Sequence, residues 1–180
     1  MTEVGYKYLK TYQLSVILFI LGNRFCDIYL LGFENRRNKE QATQALRSHK
    51  QNIVEGYLER SLKSYIKLLG VSLASLEEFM EDLLDFLRRR NLKVWGKNDP
   101  RIRKFREFRV FWDFRENPET PEIPKLPNDP EEAANFLLTL CHQQSYLLNQ
   151  QIKALEEKFI KEGGYTEKLF RKRLQARGKI

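Results

Sequence analysis

Cysteine is nearly missing from this chain, and the shortage narrows the reading at once. Only 2 of 180 residues are cysteine. Cys26 and Cys141 each sit inside an apolar helical pattern with no paired-cysteine spacing, which excludes a disulfide framework and predicts a reduced, cytoplasmic protein. Helix breakers are scarce too: 6 Pro and 9 Gly against 31% charged residues argue for long helices rather than many short strands. No apolar run is long enough to span a bilayer. The most apolar, VILFIL at 16–21, is followed at once by Asn23, Arg24 and Asp27, and GNRFCD is a poor cleavage site. It reads as a buried helix, not as a membrane or signal segment. Phosphate loop, dinucleotide fingerprint and nucleophile elbow are all lacking.

What is present is an apolar fraction of 42%, enough for a core, and a net charge of +8. That charge suits a polyanionic partner, either nucleic acid or an acidic protein face. A first helix is predicted over 11–31, where Leu14, Leu18, Leu21, Phe25 and Ile28 alternate four and three residues. Val16, Phe19, Ile20 and Cys26 widen its apolar face beyond one seam, so it must be covered on more than one side. A second helix over 38–55 has a thin stripe of Ala42, Leu46, His49 and Ile53. The third, about 29 residues long, carries the clearest repeat: Leu62, Ile66, Leu69, Leu73, Leu76, Met80, Leu83 and Leu87. Beside that seam Gly70, Ser72, Ala74 and Ser75 form a small-residue patch suited to close approach. Asp99-Pro100 starts a fourth helix over 100–114, completing a four-helix set.

Five of the six prolines fall in 117–130, an extended linker. Asp129-Pro130 starts a long helix over 130–162, which Gly163-Gly164 stops, and a short basic helix follows from Thr166. The fold expected is all-α: an antiparallel four-helix bundle over 1–116, a linker over 117–129, and a helical suffix over 130–180.

Candidate chemistry is thin. Cys141 and His142 are adjacent on a helix and point about 100° apart, so they share neither a ligand nor a proton. His49 reads as a hydrogen-bonded core or interface histidine. Glu77, Glu81 and Asp85 lack the Glu-x-x-His partners of a di-metal bundle. No catalytic residue, metal site or cofactor is expected, and the chain is read as no enzyme. Asn52, Glu55, Gly56 and Ser61 read as a corner between helices, with Gly56 in a strained or left-handed backbone, Asn52 and Glu55 bonding groups at the corner, and Ser61 capping the next helix.

The basic segments carry more weight. Residues 97–109 hold six basic against two acidic side chains, with Phe105 and Phe108 interleaved, and 165–180 hold six against one. Arg101, Arg103, Lys104, Arg171, Lys172, Arg173 and Arg177 are the candidate nucleic-acid contacts. The bland alternative makes the phenylalanines core and the charges a solvated face.

A resemblance sharpens this. The stretch Arg47-Ser48-His49-Lys50-Gln51-Asn52-Ile53-Val54-Glu55-Gly56 and SLKSYIKLLGVSLASLEEF at 61–79 resemble the four-helix bundle proteins encoded in insertions of bacterial large-subunit (23S) ribosomal RNA genes. That family has an Asn-Ile-x-Glu-Gly helix end, a Ser/Lys-rich restart and a Ser-Leu-x-Glu motif. CHQQSYLLNQQIKALEEKFIKEGGYTEKLFRKRLQAR at 141–177 resembles the longer four helix bundle suffix domain subgroup, so the likeness runs from about Tyr6 to Arg177. The related accessory variability determinant of diversity-generating retroelements implies a homo-oligomer, a pentameric ring, that binds nucleic acid and a reverse transcriptase. His49, and Tyr57-Leu58 after Gly56, depart from the pattern. The expected function is therefore a non-enzymatic oligomeric adaptor for nucleic acid, RNA or a ribonucleoprotein. The alternative is an oligomeric scaffold with protein partners alone.

Overall fold

A computed structural model describes residues 5–107 and 123–178, and the described chain is all-helical. After a 3-10 turn at Gly5–Tyr8, the helices are α1 (Lys10–Tyr29), α2 (Arg36–Leu58), α3 (Leu62–Arg89), α4 (Pro100–Glu107), α5 (Pro130–Glu162) and α6 (Tyr165–Ala176). A second 3-10 turn, Phe33–Asn35, leads into α2. No described helix is long and apolar enough to cross a membrane.

Most of the predicted seam positions are buried, although Leu62, Ile66 and Leu73 of α3 are only half-buried. Leu14, Leu18, Leu21 and Phe25 of α1 meet Leu46 and Ile53 of α2, together with Leu69, Leu76, Leu83 and Leu87 of α3, in one continuous core. Ile28, which extends the α1 seam on paper, is 45% exposed, because the helix ends at Tyr29. The widened apolar face of α1 is covered partly by a cation: Lys50 Nζ lies 4.0 Å above the Phe19 ring.

One expectation is overturned by the packing. The fourth helix of the core is α5, not the helix that begins at Pro100. Contacts link α1 with α2, α2 with α3, α3 with α5, and α5 with α1, whereas α4 lies on α5. The reason is legible in burial: every residue from Ala133 to Cys141 is buried. A helix apolar or close-packed on all sides needs neighbours all round. Described α4 offers only Ile102, buried, and Phe105, which packs edge-on against Phe136 of α5 at 4.9 Å. Residues 108–114 of the predicted fourth helix, and 117–122 of the predicted linker, lie outside the described residues. The rest of that linker is tied down, with Leu126 buried in the core and Tyr29 Oη donating to Asn128 O at 2.7 Å.

The helix starts behave as their sequences predict. Asp129 Oδ1 accepts from Glu132 N at 2.8 Å, and Asp99 Oδ1 from Arg101 N at 2.9 Å. Ser61 Oγ accepts from Ser64 N at 3.4 Å. Gly163 turns the chain at φ 75° between α5 and α6.

Candidate functional site

Both cysteines are sealed in the core. Cys26 and Cys141 are free and buried, and burial pushes both thiols up, Cys26 to about 12. A thiol held that high is protonated and unreactive. Cys141 faces inward while its neighbour His142 is exposed, so the two do not cooperate. Among the described residues no three His, Cys, Asp or Glu side chains gather as a metal site.

A polar layer crosses the core instead. His49 of α2 is fully buried. Its Nδ1 lies 3.0 Å from Ser72 O, and since a carbonyl only accepts, Nδ1 carries the proton. Nε2 then accepts from the Gln144 amide at 3.0 Å. The same amide nitrogen donates to Thr11 O at 2.7 Å, which fixes its orientation. Ser72 Oγ donates to His49 O at 2.8 Å. One neutral tautomer therefore joins α1, α2, α3 and α5, and burial lowers the imidazole pKa to about 4. Nearer the bundle's end, Thr11 Oγ1 donates to Gln151 Oε1 at 2.7 Å and Gln151 Nε2 to Tyr65 Oη at 2.6 Å. Sequence reading placed His49 here but missed Gln144. The available signal was position 144 falling three residues after Cys141 and four before Leu148, the spacing of a seam position.

Of the corner residues, Ser61 caps α3 as expected, while the others do different work. Gly56 lies inside α2, which continues to Leu58, and it is not among the positive-φ glycines. What it supplies is room: a Cβ there would stand 2.7 Å from Tyr65 Cδ2 and 3.3 Å from Leu68 Cβ. Asn52 donates to Ser48 O at 2.8 Å, one turn back on its own helix, while Glu55 is exposed. In the small-residue patch Ser75 meets Ser48 at 2.8 Å, but a Cβ on Gly70 would meet nothing within 4 Å.

Two surface concavities flank the core. A cavity of about 770 Å³ between α3 and α5 is lined by Met80, Leu84, Trp95, Ile102, Leu138 and Tyr146, among others. The strap that borders it is fastened to α5. Trp95 N donates to Asn135 Oδ1 at 2.8 Å, Asn135 Nδ2 to Lys93 O at 2.9 Å, and Trp95 Nε1 to Glu131 Oε1 at 2.7 Å. A shallower groove between α2 and α3, of about 1170 Å³, carries Glu40, Glu77, Glu78, Glu81 and Asp82 around Ala45 and Ala74. Burial first, then the neighbouring Asp85 and Glu78 charges, raise the Asp82 carboxyl above its usual range.

The predicted basic residues fall at two ends of the molecule. Arg101, Arg103 and Lys104 are on α4, against the first turns of α5. Arg171, Lys172 and Arg173 are on α6, with Arg177 at its cap, beyond the far end of α5. The 33 residues of α5, roughly 50 Å of helix, run between the two groups. They do not form one groove. Arg101 is also committed: it pairs with Asp99 through two bonds, at 3.0 and 2.9 Å, and lies 3.5 Å over the Trp95 ring. Arg103 and Lys104 are exposed, and Phe105 is a packing residue between Trp95 and Phe136.

On α6 the situation is the reverse. No residue of this helix is buried. Arg171, Lys172, Arg173 and Arg177 are exposed, and their side chains make no ion pair among the described residues. Phe170 is 59% exposed, and Leu174, four residues on, is half-buried. No protein-family model, curated protein or solved structure matches the chain.

Proposed function

We propose that this chain is a non-enzymatic, oligomeric adaptor built on an antiparallel four-helix bundle of α1, α2, α3 and α5, and that α6 carries its contact with nucleic acid, an RNA or a ribonucleoprotein. The antiparallel reading is supported by residue pairings. Gly56 meets Tyr65 and Ser48 meets Ser75 across α2 and α3, while Lys39 pairs with Asp27 and Leu46 meets Gly22 across α1 and α2. On this reading the chain groups with the four helix bundle suffix proteins its sequence resembles, and the pentameric ring of their relatives is the assembly to look for.

The observation that carries the nucleic-acid reading is α6 itself. It stands clear of the core with four cations solvated and Phe170 open to stacking. Arg101 drops out as a contact, since its guanidinium is spent on Asp99 and Trp95. Each phosphate neutralised on a single strand contributes about −0.7 to the slope of log affinity against log salt. Replacing Arg171, Lys172, Arg173 and Arg177 with Gln should therefore flatten the slope for a generic single-stranded RNA by roughly two to three units while leaving helicity intact. A parent that retains no RNA at low salt, or a Gln variant with the parent's slope, would overturn the reading. The protein-only scaffold would then lead, favoured by Ile160 at 80% and Phe170 at 59% exposure on the projecting end.

A further inference from the structure

Five carboxylates line the α2–α3 groove with one lining cation, Arg37, and among the described residues only Glu40 of the five has an ion pair, to Arg36 at 3.0 Å. Nothing in the nucleic-acid reading uses them, and a polyanion would be repelled by them. On α6 the balance is inverted: Lys168, Arg171, Lys172, Arg173 and Arg177 accompany one acid, Glu167. The complementarity extends to spacing. Arg173 and Arg177 are four apart on one side of α6, and Glu77 and Glu81, like Glu78 and Asp82, are four apart on α3. All three pairs therefore have the same pitch of about 6 Å. Phe170 and Leu174 lie on the same side as Arg173 and Arg177, and the floor of the groove has only the methyl groups of Ala45 and Ala74 to meet them.

The helix cannot reach the groove of its own chain. Gln151 is level with Tyr65, to which it is bonded. From there α5 runs on roughly 16 Å to Glu162, away from the bundle. The 12 residues of α6, folded straight back, recover roughly 18 Å and end near the level of Tyr65. Glu77 begins roughly 18 Å further along α3 in the same direction.

We propose that α6 docks in the α2–α3 groove of a second copy of the chain, with Phe170 and Leu174 over Ala45 and Ala74, and Arg173 and Arg177 against the Glu77–Glu81 and Glu78–Asp82 ladder. Arg171 and Lys172, roughly on the opposite side of the helix, stay outward for nucleic acid. The inference rests on the proposed function only in treating α6 as the recognition helix; a docked α6 leaves Arg171 and Lys172 for nucleic acid, a slope of about −1.4, and the two to three units above belong to an undocked α6. The contact pairs two different surfaces, so it generates a ring where the rotation closes and a chain where it does not.

The test is a charge exchange read by light-scattering mass at tens of micromolar protein and about 50 mM salt. The parent should exceed the 21.5 kDa of a single chain. Arg173→Glu/Arg177→Glu and Glu77→Lys/Glu81→Lys, all at exposed positions, should each fall to that mass with unchanged thermal melts. An equimolar mixture of the two should associate again, because the altered helix then meets the altered groove. A monomeric parent, either variant keeping the parent's mass, or a mixture that stays monomeric would overturn the inference. The groove variant leaves α6 untouched, so its retention of RNA is measured separately. A parent that associates but retains no RNA would sink the proposed function and leave this contact standing.

Discussion

Gly56 and Gly70 sit on adjacent helices and look alike in the sequence, yet the structure gives them opposite roles. At Gly56 the ring of Tyr65 stands where a side chain would go, so α2 and α3 can close on each other only because the residue has no Cβ. Gly56→Ala should cost about 1–3 kcal/mol through overpacking. Gly70 faces open space in the middle of α3, where it only loosens the helix. Gly70→Ala should stabilise by about 0.5–1 kcal/mol. Urea midpoints for the two variants must move in opposite directions. A Gly56→Ala protein as stable as the parent would remove the close-approach account.

At the scale of an element, the ends of helices show how much a single capping oxygen contributes. Asp129 holds Glu132 N at 2.8 Å and adds a negative charge at the start of α5. Ser61 reaches Ser64 N only at 3.4 Å and is neutral. Asp129→Ala should therefore lower stability by about 1 kcal/mol or more, and Ser61→Ala by roughly half as much or less. Thermal melts that rank them the other way would contradict this geometry. The far end of α3 is held by different means: Arg90 donates to Tyr29 O at 3.0 Å and covers the Phe86 ring at 4.1 Å. Arg90 thus fastens the end of α3 to the end of α1.

At the scale of the whole molecule, His49 is the point where four helices are bonded to one ring, and its partners are all neutral: Ser72, Gln144 and, through Gln144, Thr11. No carboxylate is there to hold a second proton. The folded pKa of about 4 lies below the 6.5 of a free imidazole. The unfolded chain therefore takes up a proton in that window which the folded chain refuses. Stability is full above pH 6.5 and falls as the pH drops toward 4. Between about pH 7 and pH 5 the loss should be about 2 kcal/mol. His49→Gln, whatever its own cost, should abolish that part of the slope. Urea unfolding at the two pH values measures both, and a parent without the slope would mean the ring is not held neutral.

The seven-residue seams of α1 and α3, the Asp-Pro starts at 99 and 129, and the Gly163 stop were determined by sequence, because each depends on spacing or on a residue's own backbone and capping chemistry. What tertiary structure decided was which helices share a core. Periodicity says that a face is buried, never against what, so the segment beginning at Pro100 was placed fourth in the bundle until the burial of Ala133 to Cys141 put α5 there. The same reason governs Gly56, whose need is set by a tyrosine on the next helix, and Gln144, whose burial becomes intelligible once Thr11 and His49 are beside it. The basic residues were legible one by one. That they divide between two ends of a long helix, and that an acidic groove lies beyond the reach of the basic helix on the same chain, are facts of distance, which a sequence does not contain.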